Sequence, residues 1–190
     1  MEEKLKQQSR NIIKVVLFGP ESTGKSTLAE QLANHYQTKW VQEYSRIYAE
    51  EKWQLGETLS EKDVLPIAFG QMKEENKLSK QVERLLICDT DLLETKVYSE
   101  WYYSGFCPDP VQKFALENTY DLYFLTYIDL PWVADNIRDK PNEREEMFQT
   151  FQQALINHKR PFVLLKGDQA TRFNEAVKQI DKLLSKTYGI

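Results

Sequence analysis

The sequence predicts an α/β fold: a five-stranded, mainly parallel sheet with helices on both faces. Three observations point there. Short apolar runs rich in β-formers alternate with longer segments of helical spacing. The first such run ends in a glycine-bounded loop, Gly19–Ser26, that leads straight into a helical pattern. The chain, at 190 residues, is long enough to bury a substantial core without disulfides or metals.

"IIKVVLFG" (Ile12–Gly19) reads as a buried first strand. Leu28, Ala29, Leu32, Ala33 and Tyr36 follow at helical spacing and predict a helix packed on the sheet. Lys39–Tyr44 reads as the second strand, with a short helix through about Trp53. Glu61–Glu83 is a long helical pattern, with Pro66 in its first turns or at a kink. Arg84–Asp89 is the third strand. Helices over Asp91–Tyr103 and Pro110–Asn118 flank the turn-rich "SGFCPDP". Leu122–Ile128 and Pro161–Gly167 are the fourth and fifth strands, and Ala170–Lys186 is the closing helix. Residues 1–11 are polar and read as a flexible lead-in, with one domain over 12–190. The charged stretch "LPWVADNIRDKPNEREEMF" breaks the alternation and reads as a mobile lid at about residues 131–146.

Composition narrows the function. The formal net charge is −4 and the basic residues are scattered among acidic ones, which disfavours nucleic acid as a partner. Cys88 and Cys107 make no metal spacing, and a reducing cytoplasmic location fits them. No apolar run is long enough to span a bilayer, and the N-terminus lacks the apolar core of a signal peptide.

The loop carries the chemistry. Gly19-Pro20-Glu21-Ser22-Thr23-Gly24-Lys25-Ser26 fills every fixed position of G-x-x-x-x-G-K-[ST], the phosphate-binding loop of P-loop NTPases. Its backbone N–H groups turn inward around phosphate oxygens, and the following helix presents its positive end. Lys25 is placed to reach the β- and γ-phosphates and Ser26 to ligate Mg²⁺. Glu21, which the motif leaves free, must turn away from the phosphates, toward Arg46 or the lid. No N-K-x-D segment of guanine-specific GTPases occurs, so ATP is the expected nucleotide.

A carboxylate at the end of a neighbouring strand is needed on the metal side, and "LLICDTD" supplies Asp89. Asp91 reads either as a second functional carboxylate or as the cap of the next helix. Glu43, at the end of strand two, sits where it could orient an attacking hydroxyl, with Arg46 three residues on. Arg138 is the favoured lid contact to the transferred phosphate, with Arg144 next and Lys140 weaker. Trp132 reads as packing under the lid. The glycine loop in "KGDQATR" could lie against an adenine or be only a turn.

"FGPESTGKSTL", "VQEYSRIYAEE", "IAFGQ", "ICDTD" and "PWVADNIRD…RE" together resemble the ribosylnicotinamide kinase domain of NadR-type proteins, over nearly the whole chain. The resemblance implies a P-loop kinase core with a lid. It also implies ATP-dependent phosphorylation of the ribose 5′-hydroxyl of nicotinamide riboside to nicotinamide mononucleotide. It assigns phosphate contacts to Gly24, Lys25, Ser26 and Thr27, acidic roles to Glu43, Asp89 and Asp91, and the lid role to Arg138. Acceptor contacts fall near Tyr44, Arg46, Gln71 and Trp101-Tyr102-Tyr103. The H-x-G-H signature of the family's adenylyltransferase domain is absent, and with the first strand near Ile12 neither that domain nor a DNA-binding helix-turn-helix is expected. The alternatives are a kinase of another nucleoside or a nucleotide-dependent regulatory ATPase.

Overall fold

The computed structural model describes residues 2–133 and 142–189. Five strands, β1 (Ile13–Phe18), β2 (Lys39–Val41), β3 (Leu85–Asp89), β4 (Leu122–Thr126) and β5 (Phe162–Leu165), form one sheet in the order β2-β3-β1-β4-β5. Every neighbouring pair is parallel, with Val16 of β1 opposite Cys88 of β3 and Tyr123 of β4. A parallel sheet needs cover on both faces, which explains why β1, β3 and β4 are buried at every residue.

The period-2 alternation of side chains sorts two cores. Val16, Phe18, Leu86, Cys88, Tyr123 and Leu125 pack on one face against α3 (Val64–Ser79), α4 (Leu92–Tyr102), α5 (Asp109–Glu117) and α6 (Arg144–Asn157). Val15, Leu17, Leu85, Ile87 and Phe124 pack on the other against α1 (Lys25–His35) and α7 (Gln169–Tyr188). The remaining helix, α2 (Tyr44–Gln54), follows the short strand β2.

Two features depart from expectation. The lead-in is packed rather than loose: Leu5 is fully buried in the core, and Gln7 bonds both Asn118 and Glu75. Met1 and Leu5 among nine polar residues carry too little pattern to announce that anchor. The second departure is α6, which starts inside the stretch read as a lid. Met147, Phe148, Phe151 and Leu155 recur at helical spacing there and are all buried, and the charge of "NEREE" obscured them. No described helix is long and apolar enough to cross a membrane.

Candidate active site

β1 is flanked by β3 and β4, so the chain reverses its winding direction at β1 and opens a crevice at the carboxyl edge of the sheet. The phosphate loop fills that position, between β1 and α1. Gly19 sits at φ 138°, and a Cβ there would come within 2.8 Å of Thr126 Oγ1, so only glycine allows the loop this close to β4. Thr23, 1 % exposed, points its hydroxyl inward to the carbonyl of Pro20 and to Thr126 Oγ1, both at 2.7 Å. With the arch pinned from inside, the first N–H groups of α1 face the crevice.

Lys25 is buried. Its Nζ donates to the carbonyls of Gly19 (2.6 Å) and Pro20 (3.0 Å) and lies 3.2 Å from Oε1 of Glu94. Glu94, 1 % exposed, also accepts the N–H of Gly19 on Oε2 at 3.2 Å. Burial pushes the Glu94 carboxyl up to about 8, against the pull of Lys25 and with the push of Glu43, Asp89 and Asp91. Burial alone would lower Lys25, but the surrounding carboxylates, Glu94 first, raise it instead.

Asp89 ends β3 beside this pair, 1 % exposed, with neither oxygen hydrogen-bonded among the described residues. Burial and the Glu43 charge raise it to about 7, against Lys25, Ser26 and Arg46. Thr90 follows at φ 89°, a strained geometry for a β-branched residue that turns the chain out of the strand at the cavity wall. Glu43, immediately before α2, accepts the Ser45 hydroxyl at 2.7 Å, and Arg46 Nε stands 4.0 Å from its other oxygen.

A cavity of about 540 Å³ joins these parts. Residues 21–27 form one wall, Glu43, Arg46 and Trp53 another, and Tyr98, Tyr102 and Tyr103 a third. The structure thus brings together Glu21, Ser22, Thr23, Gly24, Lys25, Ser26, Thr27, Glu43 and Arg46. The charge of Glu21 is felt by Tyr98 and Arg144.

Four residues expected at the acceptor side stand elsewhere. Asp91 caps α4: Oδ1 accepts the N–H of Glu94 at 2.9 Å and Oδ2 the hydroxyl of Tyr123 at 2.7 Å, so it is buried away from the cavity. Tyr44 lays its ring over Gly70, where a Cβ would meet it at 2.0 Å, and its N–H bonds Gln71 Oε1 at 2.8 Å. Gln71 is itself buried and serves that α2–α3 contact. Trp101 packs against the core, while its neighbours Tyr102 and Tyr103 line the cavity. Helical residues point about 100° apart, so three consecutive aromatics cannot all share one wall, and Trp101 is the one turned to the core.

Arg138 and Lys140 lie outside the described residues. Arg144 Nη2 donates to the carbonyls of Leu130 (3.1 Å) and Ser22 (3.4 Å), and its Cζ lies 5.6 Å over the Trp132 ring. Val133 N–H bonds Ser22 Oγ at 2.9 Å, so both described ends of the 131–146 stretch rest on the loop's arch.

Sequence reasoning missed Glu94, Arg172, Tyr98 and Trp53. Asp91-x-x-Glu94 spells a capping pattern, which concealed the second role of its glutamate. Arg172, 2 % exposed, bonds the carbonyls of Thr23, Tyr127 and Gly167 and pairs with Asp129. It fixes the phosphate loop to the loops after β4 and β5.

A family model described as AAA domain matches residues 14–172. The chain belongs to this family. The chain is also 29 % identical over 174 residues to the trifunctional NAD biosynthesis/regulator protein NadR of Escherichia coli and, equally, of Salmonella typhimurium. The match takes in 90 % of this AAA domain chain but only 42 % of either relative. Among solved structures, a NadR protein in complex with NR superposes with a TM-score of 0.73 at 21 % identity, over 99 % of this chain and 54 % of that one. Deoxyadenosine kinase from M. mycoides with bound dATP superposes at 0.54 with 17 % identity, over 89 % and 99 %. These likenesses show the P-loop kinase fold.

Proposed function

We propose that the chain is an ATP-dependent phosphotransferase that carries the γ-phosphate of ATP to a nucleoside, and that the acceptor is the ribose 5′-hydroxyl of nicotinamide riboside. The carrying observation is a single cavity running from Lys25 and the α1 amino terminus to Glu43 and an aromatic wall. The sequence similarity to NadR and the fold of the NadR complex with NR support the same acceptor.

The loop N–H groups and Lys25 hold the β- and γ-phosphates and take up the charge that develops on transfer. Glu43, at the mouth between loop and aromatics, accepts the proton of the attacking hydroxyl or orients it, and Arg46 steadies that carboxylate. Tyr98, Tyr102 and Tyr103 line the cavity with aromatic surface suited to a cationic pyridinium. Catalysis is chiefly positioning and charge stabilisation.

Mg²⁺ fits this site. The Ser26 hydroxyl and the buried Asp89 carboxylate, whose oxygens have no hydrogen-bonding partner among the described residues, are the groups that would hold it. When bound, the ion would neutralise charge on the transferring group.

The test is ADP release from ATP and Mg²⁺ alone, with nicotinamide riboside, and with ordinary nucleosides. Release stimulated by nicotinamide riboside above all others supports the proposal. Stimulation by another nucleoside reassigns the acceptor, and acceptor-independent release identifies a regulatory ATPase.

A further inference from the structure

Lys25 has three N–H donors, and each direction is already engaged by the chain: two on loop carbonyls and one facing the Glu94 carboxylate. Oε1 of Glu94 is buried and accepts no hydrogen bond among the described residues, so its contact with Lys25 is ionic. Oε2 meanwhile takes the N–H of Gly19. In its charged form Glu94 therefore holds both ends of the phosphate loop with a negative charge, in the manner a phosphate would. Its place is not accidental, because Asp91 fixes the first turn of α4 through the N–H of Glu94, and Tyr123 fixes Asp91.

We propose that Glu94 sets the affinity of the loop for its nucleotide: the carboxylate is the internal counter-ion of Lys25, the terminal phosphates displace it, and binding is tighter when Glu94 is neutral. The inference rests on the nucleotide-binding reading above. Phosphate oxygens and a carboxylate compete for one ammonium, and side by side in a buried site they repel each other. The groups facing Glu94 are Lys25 from α1, Glu43 ahead of α2, Asp89 from β3, Asp91 at the cap of its own helix and Tyr98 within that helix. Four carboxylates thus share one ammonium. A proton on Glu94 removes the competing charge without moving a side chain, and burial, which weakens this group as an acid, places the change between neutral and alkaline pH.

The test is the dissociation constant of ADP at pH 6 and pH 9 for the wild type and Glu94→Gln, with adenosine as the phosphate-free control. Glutamine keeps the volume of the side chain and its acceptor for Gly19 N–H while removing the charge. At pH 6 the two proteins should bind ADP alike; at pH 9 the variant should bind roughly tenfold more tightly, as expected for one unit charge near a bound phosphate. Titration of ADP itself cancels in the ratio, and adenosine should show no difference at either pH. A ratio independent of pH, weaker binding by the variant, or an equal effect on adenosine would overturn the inference. Absence of ADP binding by the wild type would instead overturn the nucleotide reading on which it rests. Should the variant not fold, calorimetry of the wild type at pH 9 in two buffers of different ionisation enthalpy decides: proton uptake on ADP binding supports the inference, and none overturns it.

Discussion

Arg172 Nη1 donates to the carbonyl oxygen of Thr23 at 2.6 Å, across 149 residues of sequence, and this bond ties the arch of the phosphate loop to the start of α7. The same guanidinium reaches the carbonyls of Tyr127 and Gly167, and Gly167 N–H returns a 2.6 Å bond to Asp129. Three loops at the carboxyl edge of the sheet therefore share one buried cation. Arg172→Gln leaves carbonyls and a carboxylate without their donor, which should cost about 3 kcal/mol of stability. It should also raise the KM for ATP more than it lowers kcat, with Arg172→Lys recovering part of the stability. Denaturant unfolding and steady-state kinetics check both; an unchanged KM would mean the arch holds without this bond.

Glu43 stands on the cavity between the loop and the aromatic wall, so its charge should act on the acceptor step. Glu43→Gln should lower kcat by about 10²–10⁴-fold, as for loss of a positioned general base. The KM for ATP should move only a few-fold, because the phosphate contacts are untouched. A variant with near wild-type kcat would show that the acceptor hydroxyl is oriented elsewhere.

Asp91 should act on stability rather than turnover. Burial raises its carboxyl to about 6, with the Glu94 N–H and the Tyr123 hydroxyl opposing the rise. The folded protein then keeps a proton that the unfolded chain has already lost. The stabilising term is fully present below about pH 4 and disappears as pH rises through 6. Asp91→Asn retains a capping side chain without titrating. Relative to the wild type, it should therefore gain on the order of 3 kcal/mol between pH 4 and 7. Urea unfolding at several pH values measures this, and parallel curves for the two proteins would contradict it.

Gly70 and Tyr44 supply a packing test. A methyl at Gly70 would overlap the Tyr44 ring, so Gly70→Ala should destabilise by about 1–3 kcal/mol. Gly70→Ala combined with Tyr44→Ala should lose less than the two changes added separately. Additive losses would show that the ring does not depend on the glycine.

The parts of this molecule legible in the sequence are those written in local chemistry. β1, β3 and β4 are continuous apolar runs, and the loop from Gly19 to Ser26 must be spelled with glycines, lysine and a hydroxyl wherever it occurs. Glu43 and Asp89 follow from their places at strand ends. What could not be read depends on rotation and distance. Tyr44 and Trp101 differ from their cavity-facing neighbours Ser45 and Tyr102 by one helical step, which only packing decides. Glu94 and Arg172 gain their meaning from contacts 75 and 149 residues away, and nothing in their local sequence marks them.

The most direct test of the central claim is the fate of the γ-phosphate. Wild-type protein incubated with ATP, Mg²⁺ and nicotinamide riboside, followed by ³¹P NMR, should show a phosphomonoester on the ribose 5′ carbon growing in step with ADP. Lys25→Ala, with its fold verified by circular dichroism, should show none. Growth of inorganic phosphate at the same rate with and without the riboside would contradict the account.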